Sequence, residues 1–168
     1  MPVVIKPLGP HHDRRAFACG QPDLDRWFRE RASQDEKRNL ARVFVAVDQN
    51  GIAGFYALST HTLGLSDLPP DLTRKLPRYE ALPAALVGRL ARAERVRGKA
   101  IGDLLLADAI RRTLSVGRSV AIYAILVDAK DERASAFYQR FGFRAFPLRP
   151  SRLFLLAETA AKAIARLG

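Results

Sequence analysis

The chain has 168 residues, 48% hydrophobic and 27% charged, which suits one ordinary domain with a real core and not a disordered polymer. No apolar run reaches membrane-spanning length, the first 20 residues lack the apolar stretch of a signal peptide, and a single cysteine, Cys19, excludes an internal disulfide, so a cytoplasmic domain is expected. Twenty-eight Lys and Arg against 17 Asp and Glu leave a formal charge of +11, and 22 of the cations are Arg, which favours phosphate-bearing partners but equally suits simple solubility.

In chain order, Val3–Leu8 predicts a first strand. Asp23 predicts a helix N-cap, with Leu24, Trp27 and Phe28 at helical spacing behind it. Val43–Val47 and Ile52–Leu58 flank Asn50-Gly51, which predicts a hairpin closed by a type I′ turn with both turn residues at positive φ. Pro69, Pro70, Pro77 and Pro83 then mark an irregular excursion with room for a short helix. Leu86–Ala91 predicts a strand leading into Arg95–Gly102, and a helix follows to about Thr113, with Leu105, Leu106, Ala109 and Ile110 on its apolar stripe.

The nearly all-apolar Val120–Val127 predicts a central strand covered on both faces. Ala134, Phe137, Tyr138 and Phe141 recur at helical spacing until Gly142 stops the helix. Arg152–Leu156 predicts a last strand, and the Ala-rich tail from Glu158 a short terminal helix. A hairpin in the first half and helices between apolar strands in the second predict an α/β (α+β) fold. It is a single mixed, mostly antiparallel sheet with helices on both faces, in one domain of residues 1–168.

Arg95-Val96-Arg97-Gly98-Lys99-Ala100-Ile101-Gly102 is the most informative stretch. Small residues leave the backbone nearly bare where a helix begins, and the unpaired N–H groups of a first helical turn bind anions. A tight turn needing small residues for packing alone reads the same glycines equally well. A P-loop is excluded, because Ala93 and Ala100 stand where it needs Gly and Ser or Thr. The dinucleotide G-x-G-x-x-G pattern is absent as well.

Arg95–Ala100 matches R/Q-x-x-G-x-G/A, and Ala134–Phe143 (ASAFYQRFGF) matches A-x-x-F-Y-x-x-x-G-F. In these two segments, in order and with VAIYAILV between them, the chain resembles the GNAT N-acetyltransferases. A narrower resemblance is carried by Phe17–Gly20, Leu24–Trp27, Gly54–Ser59, Asp67–Pro69 and Gly88–Ala91, which are similar to segments of the GNAT toxins of bacterial toxin–antitoxin pairs. Ala93 stands where those toxins usually carry Asp, and Asp131 where many GNAT enzymes have Asn.

The resemblance implies the GNAT fold, acetyl-CoA as co-substrate, the α-amine of aminoacyl-tRNA as acceptor, a ribbon-helix-helix antitoxin and a possible homodimer. It assigns main-chain groups of Leu90 and Arg92 to the pantetheine arm and the amides from Arg97 through Gly98, Lys99, Ala100 and Ile101 to Gly102 to the pyrophosphate, with Arg95 in the same cofactor site. Phe137 would pack on the coenzyme, and Tyr138 would protonate the departing thiolate. An α-amine with pKa near 7.7–8.0 needs little help from a base, and His61 is the one side chain considered for that role. His11-His12 lacks a third ligand, and no metal is expected.

Arg89, Arg92, Arg95, Arg97 and Lys99 crowd eleven residues, so some are expected at the coenzyme and others on nucleic acid; Arg26, Arg38, Arg42 and Arg89 are the candidate RNA contacts. A GNAT enzyme of a small amine or peptide, and a basic non-catalytic nucleic-acid-binding module, are the competing readings.

Overall fold

Seven strands form one mixed sheet in the order β1-β2-β3-β4-β5-β7-β6 in a computed structural model that describes residues 2–167. The strands are β1 (Val4–Pro7), β2 (Arg42–Asp48), β3 (Gly51–Gly64), β4 (Ala81–Arg92), β5 (Ala124–Asp128), β6 (Arg144–Ala145) and β7 (Arg152–Leu156). Between and after them come α1 (Pro22–Glu30), α2 (Ala32–Lys37), α3 (Pro70–Thr73), α4 (Ile101–Val116), α5 (Glu132–Arg140) and α6 (Ala157–Leu167). Of the five strand pairs whose register is described, four are antiparallel and β4 with β5 is parallel. No helix among the described residues is long and apolar enough to cross a membrane. The chain gathers into two compact units, Met1–Ser59 with Gly88–Ala109, and Thr60–Val87 with Ile110–Gly168.

In the first unit β2 pairs antiparallel with both β1 and β3. The hairpin forms where Asn50-Gly51 predicts it, but its turn is not type I′. Asp48 pairs with Gly51, and only Gly51 takes a positive φ, of 116°. The Asp48 carboxylate accepts the Asn50 N–H at 2.9 Å, so a side chain organises the loop and Asn50 stays out of the left-handed region. Further along, the register steps from Ala46↔Gly54 to Val47↔Ile52 and leaves Ala53 as the extra residue of a bulge.

Helix α1 starts earlier than Asp23 suggests. Gln21 is the N-cap and Pro22 the first helical residue, where the missing N–H costs nothing, while Asp23 and Asp25 sit in the positive first turn. Asp25 is buried and accepts the Cys19 N–H at 3.0 Å. Trp27 and Phe28 turn inward onto Phe55; Phe28 and Phe55 stack at 4.1 Å with their planes 1° apart.

The second unit is built on β5, whose Ala124–Val127 are fully buried and pair in parallel with Ala84–Val87 of β4 and antiparallel with β7. The strand expected at Val120–Val127 therefore loses its first four residues. Val120 is 63% exposed, because the first half of the apolar run serves as the connection out of α4. β3 and β4 are both longer than their apolar cores suggested, and the two-residue β6 carries no sequence signal. Leu63, Leu68, Leu82, Leu126, Phe146 and Phe154 make this unit's core. Helix α5 ends as read, with Gly142 at a φ of 96° just beyond it; at its start the Asp131 side chain accepts the Ala134 N–H at 2.8 Å, a cap the sequence reading did not name.

Gly54 is a point of close approach in the first unit. A Cβ there would lie 2.8 Å from the Ala91 carbonyl oxygen and 2.8 Å from Leu105 Cδ1, so β3 accepts no side chain at this position. Gly54→Ala is expected to destabilise the protein by about 1–3 kcal/mol through overpacking, read as a lower urea midpoint with an unchanged m-value.

Candidate active site

One candidate element is the turn that joins β4 to α4, within the first unit. Two backbone bonds hold its approach: the Ala93 N–H donates to the carbonyl of bulged Ala53 at 2.8 Å, and the Glu94 N–H to Ala18 at 2.8 Å. A single 3₁₀ turn over Glu94–Val96 follows. Gly98 and Ala100 then take positive φ, 84° and 58°, and α4 begins at Ile101.

The Leu104 N–H to Ala100 O bond, at 3.2 Å, belongs to the first turn of that helix. The amides of Ile101, Gly102 and Asp103 precede it and have no acceptor one turn back, so they are free for an anion. Alternating left-handed residues aim neighbouring N–H groups into one concavity. A Cβ at Gly98 would meet nothing within 4 Å, so the turn opens to solvent and glycine is required there for the sign of φ alone. Arg97 and Lys99 are exposed beside it.

The cations divide into those the fold engages and those it leaves available. Arg95, expected at the coenzyme, is engaged: it grips Asp48 through two bonds of 2.8 and 2.9 Å and reaches the Ile52 carbonyl at 3.1 Å. The guanidinium in turn holds the Asp48 carboxyl below its usual range. Arg95 thus staples the turn to the end of the β2–β3 hairpin. That role is invisible in a pattern match because its partner lies 47 residues away.

Arg42, a candidate RNA contact, is tied to Glu36 at 3.0 Å and Asn39 at 2.6 Å. Arg89, another, lies half-buried with its guanidinium 4.2 Å from the centre of the Trp27 ring, and burial pushes its pKa down. The Trp27 indole N–H donates to Asp35 at 3.0 Å. Arg26, Arg38, Arg92, Arg97 and Lys99 have no ion-pair partner among the described residues.

The other candidate element is α5, within the second unit. Tyr138 is 5% exposed, packed edge-on to Phe137 at 5.3 Å and against Phe143 at 5.7 Å. Its hydroxyl has no hydrogen-bond partner among the described residues. Burial, helped by the charge of Asp128, pushes the phenol up to about 12. Phe137 is half-buried one residue earlier.

Asp128, the last residue of β5, receives two bonds from Arg152, at 2.7 and 2.9 Å. Arg152 also donates to His61 Nε2 at 3.0 Å, and burial with that guanidinium lowers the His61 pKa. His61 lies inside β3, and its Nε2 is bonded to Arg152. Sequence reading missed the Asp128–Arg152–His61 chain, whose members come from three strands. No group of three or more His, Cys, Asp or Glu that could hold a metal exists among the described residues; the His12 ring accepts the Gly9 N–H at 2.9 Å.

The chain matches the acetyltransferase (GNAT) domain over residues 39–145. It belongs to the GNAT acetyltransferase family. The GNAT match includes both Arg95–Ala100 and Ala134–Phe143, so the αL turn and Tyr138 are parts of one acetyl-CoA-dependent transferase domain sequence. Among its relatives, "Probable toxin TacT" of Sinorhizobium fredii is 34% identical over 166 residues, covering 93% of this chain and 92% of that protein. A "tRNA-acetylating toxin" of Mycobacterium tuberculosis is 35% identical over 148 residues, covering 88% of each. A crystal structure of a tyrosine-to-phenylalanine mutant of KacT superposes with a TM-score of 0.90 at 26% identity, covering 97% of this chain and 99% of that one.

The Arg95 staple has a measurable consequence. Asp48→Asn and Arg95→Met are each expected to weaken acetyl-CoA binding several-fold by calorimetry, and the double variant no more than either alone. Undiminished binding by Asp48→Asn would return Arg95 to direct contact with phosphate.

Proposed function

We propose that this GNAT enzyme is a toxin that acetylates the α-amine of aminoacyl-tRNA and so blocks translation. The observation that carries this reading is the 35% identity, over 88% of both chains, to a relative named as a tRNA-acetylating toxin. The available cations Arg26 and Arg38 agree with it, since phosphate contacts need guanidinium groups that the fold has not already engaged. Arg42 and Arg89 leave the RNA footprint for the reason given above, and Arg95 leaves the direct coenzyme contacts.

The residues at the turn fit a pyrophosphate. The Arg97 and Lys99 amides are spent on Glu94 and Val96, each at 3.1 Å, so the amides left for a phosphate are those at the start of α4, from Ile101, Gly102 and Asp103, beside the exposed Arg97 and Lys99. Acetyl-CoA supplies an acyl group activated as a thioester. Main-chain groups of Leu90 and Arg92, at the end of β4, take the pantetheine arm in this reading, and Phe137 covers it.

Tyr138 faces the sulfur. Its phenol stays protonated throughout the physiological range because burial disfavours the phenolate. A thiol of pKa about 8.5 is the stronger acid, so Tyr138 first stabilises the developing thiolate by donating a hydrogen bond. As the C–S bond breaks the phenol passes its proton to the sulfur and regains one from the water that takes the amine's proton. The attacking amine, with pKa about 7.7–8.0, loses its proton to water.

The two compact units are read as the two halves of one catalytic domain over residues 1–168, working in the cytoplasm, where charged tRNA is found. A ribbon-helix-helix antitoxin and a homodimer complete the proposal.

Mass spectrometry of pooled aminoacyl-tRNA after incubation with the protein and acetyl-CoA tests it. Acetylated aminoacyl-adenosine is expected from the wild type, with turnover at least tenfold lower for Tyr138→Phe at unchanged acetyl-CoA affinity. Acetylation of small amines or peptides alone would replace the tRNA acceptor. On a hydrolysis-resistant, amide-linked aminoacyl-RNA, kcat/KM is expected to rise through about pH 8 as the amine deprotonates and to stay level to pH 10. A falling limb below pH 10 would contradict a phenol that holds its proton to about 12.

A further inference from the structure

Tyr56 is among the largest fully buried side chains, and its phenol has no part in the chemistry described so far. Its hydroxyl donates to Asp108 Oδ2 at 2.6 Å, across 52 residues of sequence, and Asp108 is half-buried on α4. Both residues belong to the first unit, which contains α4 as far as Ala109.

We infer that Tyr56 and Asp108 are positioning residues for the coenzyme: their bond fixes the tilt of α4 and so aims the Ile101, Gly102 and Asp103 amides at the pyrophosphate. The inference rests on the proposed phosphate site and adds the pair that orients it.

Register is the first argument. Gly54 and Tyr56 are two apart on β3 and so face the same side. A Cβ at Gly54 would lie 2.8 Å from Leu105 Cδ1 and 3.3 Å from Ile101 Cγ2, so those side chains already cover the strand there. Ile101, Leu105 and Asp108 stand at i, i+4 and i+7, one stripe of α4. That stripe meets one face of β3 at two apolar points and one polar point.

Direction is the second. Apolar contacts at Ile101 and Leu105 hold the helix close but let it tilt, because burial has no direction. A hydroxyl–carboxylate bond is directional, and 2.6 Å is the short length of a good one. The donor is itself held in place. Tyr56 is 0% exposed, and its ring stacks at 5.2 Å on Phe44, its partner across the β2–β3 pair.

Leverage is the third. The amides lie five to seven residues up the helix from Asp108, about 8–10 Å at a rise of about 1.5 Å per residue. A tilt of roughly 6° about that point displaces them by about 1 Å, which stretches a hydrogen bond of about 2.9 Å beyond useful range.

Calorimetry of the full chain tests the inference with two ligands, acetyl-CoA and the 3′-phosphorylated adenosine diphosphate of its head group. The second carries the pyrophosphate without the pantetheine arm. Tyr56→Phe keeps the ring and removes the donor. It is expected to weaken both ligands at least fivefold and by the same factor. Unchanged affinities, or a loss confined to acetyl-CoA, would overturn the inference. Phe44→Leu is the control for packing, since it removes the stacked ring and leaves the bond. It is expected to lower the urea midpoint and keep both affinities within about twofold. A loss equal to that of Tyr56→Phe would show that packing alone orients α4, and would also overturn the inference. Should Tyr56→Phe fail to fold, Asp108→Ala removes the acceptor at a half-buried position, with the same losses expected and the same contrary outcomes. Gly98→Glu tests the phosphate site itself by placing a carboxylate beside the amides. Binding lost there but unchanged in Tyr56→Phe defeats the positioning alone; normal binding by Gly98→Glu defeats both.

Discussion

Two left-handed residues in three, Gly98 and Ala100, turn strand β4 into helix α4, and the chemistry of the first unit depends on that reversal. A left-handed alanine costs about 1 kcal/mol, so the surroundings must hold it. They do so from four directions. The Ala53 bulge receives the Ala93 amide, Ala18 receives the Glu94 amide, Arg95 clamps Asp48, and glycine at position 54 lets β3 approach Ala91 and α4 closely. The outcome is a helix N-terminus whose amides face solvent. Phosphate recognition by this route uses backbone first and side-chain charge second, which is why one of the nearby arginines can be given to the scaffold.

A charge of +11 does not translate into eleven binding contacts. Three of the cations singled out by their position in the sequence are already engaged: Arg42 by Glu36 and Asn39, Arg89 by the face of Trp27, and Arg95 by Asp48. Exposed pairs of this kind contribute little to stability. Their larger effect is to remove a guanidinium from the pool that a polyanion can use. Arg97 and Lys99 at the turn, and Arg26 and Arg38 on the helical segment, remain in that pool.

Tyr138 shows how burial sets a chemical role. In water a phenol and a thiol differ by about 1.5 pKa units, and desolvation at Tyr138 widens the gap. The phenol becomes a donor that keeps its proton until a negative charge appears beside it. Asp128 adds to that effect, and Arg152 keeps the Asp128 carboxyl ionised by binding it. The same arginine helps to lower the His61 pKa and donates to its Nε2, which joins three strands through one chain of side chains.

Much of this was legible in the residues. The hairpin, α4, α5 with its Gly142 stop, and β7 follow from local periodicity and turn chemistry, which act over a few residues and need no distant partner. The two family segments could be read because backbone-bare turns and the Phe-Tyr pair are short contiguous patterns. Local reading erred where a neighbour in space overruled it. Asp48 took over the turn that Asn50 was expected to make, Pro22 displaced Asp23 from the cap, and Val120 was released to solvent from an apolar run. By itself, then, the sequence determined the strand and helix order and the chemistry of the turn and the phenol. Only the tertiary structure decided which arginines are available and how His61, Arg152 and Asp128 are joined. Those depend on pairings across 47, 91 and 24 residues, which no local pattern encodes.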